Sequence, residues 1–134
     1  MEFELNASIL PCEGAGGIKL GSIVSDLFLD TLNAANLIEH RSAETNMYRF
    51  DSISLFVSNR RIIQIAVYNK YIGKLDNYIH IGMPKQQVEQ QYGMFKLDDE
   101  DNLVLADISG VCFEYNVNSA ESEITEIFLY QCCD

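Results

Sequence analysis

Three groups of residues have the types and spacing to do chemistry. They are the acidic run Asp98-Asp99-Glu100-Asp101, the histidines His40 and His80, and the cysteines Cys12, Cys112, Cys132 and Cys133. A calcium loop alternates its oxygen ligands and turns on a glycine, and the acidic run has neither feature. It reads as a solvated loop or as a docking patch for a basic partner. His40 stands beside Arg41, and His80 lies between Ile79 and Ile81. Neither has a second histidine or a cysteine at zinc-ligand spacing. The serines lack any nucleophile motif. There is no Cys-x-x-Cys, and adjacent cysteines such as Cys132 and Cys133 rarely bridge each other. Free thiols near the chain end are the expected state. The chain is expected to be no enzyme and to use no metal or cofactor.

Charge is the strongest compositional signal. Nine basic residues against twenty acidic ones give a net charge of −11 and a pI near 4.4. Such a surface repels nucleic acid and anionic membranes and attracts basic proteins. The glycines of residues 11–17 lack the spacing and the Lys-Ser/Thr ending of a phosphate-binding loop. With 134 residues, 48% of them hydrophobic, the chain is long enough for one domain with a substantial core. No run of apolar residues is long enough to span a bilayer as a helix. Residues 1–5 carry Glu2 and Glu4 where a secretory signal carries basic residues, so a cytoplasmic location is expected.

The elements that must position these groups follow from periodicity. Residues 2–12 alternate apolar and polar and read as extended. Ile18-Lys19-Leu20-Gly21 is a short alternating segment. Ser22 is placed to cap a helix whose apolar face carries Ile23, Val24, Leu27, Phe28 and Leu32. Leu37 and Ile38 continue or close that element, and residues 39–46 read as a loop. Residues 47–57 and 62–68 read as strands joined by a turn at Ser58-Asn59-Arg60-Arg61. Ile79-His80-Ile81 has strand alternation. Gly82 permits a positive φ, Pro84 suits the first turn of a helix, and Gly93 is placed to end it. Residues 103–106, 111–117 and 123–130 complete the strands.

The two halves share an order of elements. Ile18-Lys19-Leu20-Gly21 corresponds to Ile79-His80-Ile81-Gly82, and Gln64-Ile65-Ala66-Val67-Tyr68 corresponds to Glu126-Ile127-Phe128-Leu129-Tyr130. The pattern predicts a single α+β domain over residues 1–134. Its two similar helix-plus-meander repeats, roughly residues 18–68 and 79–130, form an antiparallel sheet with helices on one face. On that sheet Ile65, Val67, Ile127 and Leu129 face the helices. Gln64, Tyr68, Glu126, Phe128 and Tyr130 face away, a mixture of aromatic and acidic side chains that suits a protein interface.

Residues 81–88, continuing to Tyr92-Gly93, resemble the repeat signature of the β-lactamase inhibitor protein and the BamE/SmpA-like lipoproteins. The shared elements are a β-branched residue, Gly-Met, a helix cap, polar residues, a valine, and a glycine closing the helix. Pro84 stands where that family has Thr or Ser, and the first half keeps Gly21 but lacks the methionine. The resemblance implies a tandem helix-on-sheet fold whose open sheet face grips another protein. In size and acidity the chain is also similar to bacterial immunity proteins, which neutralise toxins delivered by contact-dependent or type VI-like systems. That likeness implies a basic toxin domain, such as a nuclease, as partner. Nucleic acid and membrane are not expected partners. The expected binding residues are Asp98, Asp99, Glu100, Asp101, Glu114, Glu126, Phe128 and Tyr130. The alternative is a non-enzymatic assembly or scaffold module for a housekeeping protein.

Overall fold

The computed structural model describes residues 3–116 and 122–132. A small hairpin of β1 (Gly14–Ala15) and β2 (Ile18–Lys19) precedes helix α1 (Asp26–Leu32). Four antiparallel strands follow: β3 (Leu37–His40), β4 (Thr45–Arg49), β5 (Ile53–Ser58) and β6 (Arg61–Tyr68). Helix α2 (Lys85–Tyr92) leads into four more: β7 (Lys96–Leu97), β8 (Leu103–Leu105), β9 (Ile108–Tyr115) and β10 (Ile124–Tyr130). The two meanders join through β6 and β10 into one eight-stranded sheet of order β3-β4-β5-β6-β10-β9-β8-β7.

The expected α+β class, with helices covering one sheet face in two helix-plus-meander repeats, is corrected by this architecture. Among the described residues strand makes up 43% and helix 12%, so the protein is mostly β. The helices have seven and eight residues, too short to stand without tertiary support. Each buries one side chain fully, Leu32 in α1 and Val88 in α2. Ser25, not Ser22, caps α1, its hydroxyl accepting the Phe28 N–H at 3.1 Å. Ile23 and Leu27, expected on the apolar face, are 66% and 80% exposed. The Asn33–Asn36 break ends the helix, and Leu37 opens the edge strand β3 instead of extending α1.

Non-helical segments complete the core. Tyr71, Leu75 and Ile79 are fully buried beside Ile9 and the inner sheet residues Ile53, Leu55, Ile65, Val67, Ile127 and Leu129. The Tyr71 hydroxyl accepts the Gly16 N–H at 2.7 Å and donates to the Ala7 carbonyl at 2.8 Å, pinning the N-terminal segment to the core. That segment is not a strand. Its ladder contacts are single bridges, Ile9 to Leu75 and Leu10 to Gly14. Ile79 likewise makes only a bridge to Leu75 rather than the expected strand, because Asp76 and Asn77 turn the chain tightly with positive φ. Residues 47–57 are two strands, broken at Phe50–Ser52. The turn before β6 forms at Asn59 and Arg60, both with positive φ.

A disulfide joins Cys12 to Cys132 across 120 residues of sequence, with Cα atoms 5.2 Å apart. This corrects the expectation of free thiols for Cys132; Cys133 and residues 117–121 lie outside the described residues. Gly110 makes room for the bridge. A Cβ there would come within 2.7 Å of the Cys12 sulfur and 2.9 Å of the Cys132 sulfur, and its φ of +82° is left-handed. Closing a loop of this length restricts the unfolded chain, and the expected stabilisation is about 2–4 kcal/mol. Cys12→Ala should lower the unfolding free energy by that amount in denaturant titrations. Wild-type protein treated with a dithiol should match the variant. Equal midpoints with and without reductant would show that the bridge contributes nothing.

Candidate functional site

The β6–β10 register decides which side chains share the face opposite the core. Glu126 lies across from Tyr68, Phe128 from Ala66 and Tyr130 from Gln64. On its other side β10 pairs with β9, which sets Glu126 opposite Glu114 and Phe128 opposite Cys112. Because side chains alternate along a strand, Ile127 and Leu129 point into the core while Glu126, Phe128 and Tyr130 point out of it. The face continues through β5 and β4 as Ser54 and Phe56, then Arg49 and Met47.

Polar contacts within the sheet order the centre of this face. The Tyr68 hydroxyl donates to the Phe50 carbonyl at 2.6 Å and lies 2.8 Å from the Ser54 hydroxyl. The Arg49 guanidinium stacks over the Tyr68 ring at 4.0 Å, and Arg41 lies 5.7 Å from the Phe56 ring centroid. Burial raises the Tyr68 hydroxyl pKa, against the Ser54 bond and the Arg49 charge.

The acidic run forms the tip of the β7–β8 hairpin. Asp98 builds that tip: its Oδ1 accepts the backbone N–H of Glu100 and of Asn102, each at 2.9 Å. These bonds, the Asn102 one foremost, hold the Asp98 carboxyl below its usual range. Asp101 closes the turn with a φ of +62°, and its N–H donates to the Asp98 carbonyl at 3.1 Å. Asp98 therefore organises the loop, while Asp99, Glu100 and Asp101 are exposed on it.

The loop and the sheet face meet around Cys112. A cavity of about 240 Å³ is lined by Gln64, Asp101, Asn102, Cys112, Glu114 and Phe128, among others. Burial, then Asp98, Glu114 and Glu126, push the Cys112 thiol up to about 11. A catalytic thiol needs the opposite shift, so Cys112 stays protonated and unreactive at neutral pH. Burial raises the Glu126 carboxyl, with Glu114 adding to the effect and Arg49 opposing it. Tyr130 is raised by burial, with Cys112, Asp98 and Glu100 adding.

Of the residues expected from sequence, Asp101, Glu114 and Phe128 line one cavity, and Glu126 faces Glu114 across the strand pair. Asp98 and Glu100 lie near enough to Tyr130 to act on its proton. Among the described residues Asp99 has no hydrogen bond or ion pair that draws it into this group. Among the described residues, the four ion pairs are Arg41–Glu39, Arg60–Asp26, Lys70–Asp51 and Lys85–Glu89, and none involves these carboxylates. Like charges directly opposite each other in a ladder are destabilising, so Glu114 and Glu126 are maintained at a cost to the fold. Sequence reasoning missed Cys112 and Arg49. The alternation that places Glu114 outward also places Cys112 outward, two residues earlier, and so could have found it. Arg49 required the pairing of β4 with β5.

What this arrangement can do chemically is receive positive charge beside aromatic surface. Among the described residues no group of three or more His, Cys, Asp or Glu is placed to hold a metal ion. Among the described residues no helix is long and apolar enough to cross a membrane. No protein-family model matches the chain, and neither a curated protein nor a solved structure matches it.

The Glu114–Glu126 pair gives the face a pH signature. A carboxyl raised in the folded state weakens the fold when it ionises. Its penalty is absent below the unfolded pKa and grows as pH rises to the folded pKa. Glu126→Gln should therefore raise the melting temperature at pH 7, with the gain shrinking as pH falls toward about 4 and absent below it. In Glu114→Gln, carboxyl-detected NMR titration should move Glu126 down toward its ordinary value. An unmoved Glu126 would show that Glu114 is not coupled to it.

Proposed function

We propose that this protein binds a basic protein on its open sheet face and inhibits it by occlusion, as the immunity partner of a bacterial toxin. The observation that carries the reading is the convergence of Asp98, Glu100, Asp101, Glu114 and Glu126 with Phe128 and Tyr130, none of these carboxylates being in an ion pair among the described residues. Unpaired carboxylates accelerate the encounter with a positively charged surface, and buried aromatic anchors slow dissociation. A basic nuclease fits because its phosphate-binding surface is complementary in charge, and an acidic protein seated there excludes nucleic acid. A scaffold role for a housekeeping partner uses the same surface. It differs in predicting a partner without toxicity.

The compartment enters the proposal as the cytoplasm, where a toxin acting on nucleic acid meets its target. One observation favours a second reading. The Cys12–Cys132 bond is of a kind that persists in oxidising compartments and is rare in the cytosol. Thiol alkylation in acid-quenched cells separates the two, since Cys12 and Cys132 are free in a reducing cytosol and blocked in an oxidising one.

The functional test uses the product of the reading frame beside this one as partner. Co-expression should rescue growth from that product. Replacing Asp99, Glu100 and Asp101 together with Lys should slow association about tenfold or more at low salt and flatten its salt dependence. Asp98 is left in place because it builds the loop. Phe128→Ala should act mainly on the dissociation rate. An association rate indifferent to the charge reversal would sink the steering mechanism, and a partner without toxicity would favour the scaffold.

A further inference from the structure

The cavity beneath the acidic hairpin has a more specific shape than an acidic surface requires. Its lining combines the aromatic ring of Phe128, the carboxylates of Glu114 and Asp101, and the amides of Gln64 and Asn102. Leu103, Phe113 and Cys112 complete it, and Cys112 is the one with a polar atom in its side chain. That side chain is 8% exposed, and its thiol is free and without a hydrogen-bond partner among the described residues. A volume of about 240 Å³ lies below the ~300–1,000 Å³ usual for small-molecule sites, so it suits one side chain of a partner. A larger cleft, about 490 Å³ beside Lys74, Asp76 and Asp107, carries both signs of charge and selects neither.

We propose that the cavity formed by Gln64, Asp101, Asn102, Cys112, Glu114 and Phe128 is a pocket for an arginine side chain of the partner protein. The proposal rests on the reading that the open face binds a basic protein. Arginine fits better than lysine for three reasons. Its flat guanidinium can lie against the Phe128 ring. Its several donors can reach carboxylate and amide oxygens at once. It also sheds water more readily than an ammonium. The protonated Cys112 gives the pocket a neutral, polarisable floor, where a thiolate would compete with Glu114 for the cation.

The test is an NMR titration with N-acetyl-Gly-Arg-Gly-amide and its lysine counterpart. The arginine peptide should bind about fivefold or more tightly than the lysine peptide. Its shift changes should centre on Gln64, Asp101, Cys112, Glu114 and Phe128. Glu114→Gln should weaken it about three- to tenfold. Phe128→Leu, which keeps an apolar side chain but removes the ring, should erase the preference for arginine. Equal affinities for the two peptides, shifts centred elsewhere, or indifference to both substitutions would overturn the pocket. The two readings fail separately. A basic partner whose salt-dependent binding ignores Glu114→Gln and Phe128→Leu removes the pocket and leaves occlusion standing. A chain that prefers the arginine peptide but protects against no neighbouring toxin removes the immunity role and leaves the pocket.

Discussion

The rest of the structure depends on the pairing of β6 with β10. Five residue pairs, from Glu126 opposite Tyr68 to Tyr130 opposite Gln64, join two meanders that are distant in sequence. Neither meander has a buried edge without this contact, and the core residues Ile65, Val67, Ile127 and Leu129 meet only because of it. A slip of β10 by one residue would send Ile127 and Leu129 into solvent and drive Glu126, Phe128 and Tyr130 inward. The apolar demand of the core therefore fixes the register. The register in turn fixes the composition of the open face, down to which carboxylates sit opposite each other.

That dependence explains why a sheet with little helical cover is stable. In a helix-on-sheet fold, long amphipathic helices seal one face. Here the seal comes from α1 and α2 in part and from Tyr71, Leu75, Ile79 and Ile9 for the rest. Tyr71 does two jobs at once, filling the core with its ring and satisfying the backbone of Gly16 and Ala7 with its hydroxyl. The disulfide fastens the same N-terminal segment to the far end of β10, over the bare Cα of Gly110.

Alternation is legible in the sequence wherever the chain forms long central strands. Ile65 and Val67 against Gln64 and Tyr68, and Ile127 and Leu129 against Glu126, Phe128 and Tyr130, carry period-2 patterns strong enough to assign faces. The edges were not readable in the same way. Leu37-Ile38-Glu39-His40 is exposed throughout and has no alternation, because an edge strand buries neither face strongly, so the residue pattern there reads as helix end and loop. Ile23, Val24, Leu27 and Phe28 have helical spacing, yet Ile23 pairs with Arg61 as a bridge and Leu27 faces solvent. Tertiary pairing outweighed a weak local pattern there. The Cys12–Cys132 contact spans nearly the whole chain, and no local rule could have chosen it among the possible pairs.

The site follows the same division. Its acidic and aromatic members were visible as residue types, but their relation to one another is a product of register and loop geometry. Asp98 looked like one more surface charge and is the residue that shapes the hairpin, while Asp99 beside it joins no cluster. Cys112 looked like a stray thiol and lies where the loop and sheet carboxylates converge, held protonated by burial and by their charge. Glu114 and Glu126 repel each other in the free protein. A fold selected for stability alone would place an opposite charge across from Glu126 on β9, where Glu114 stands. A bound cation would turn their mutual repulsion into two attractive interactions. The same electrostatic arrangement that weakens the isolated sheet would thus strengthen a complex with a positively charged partner.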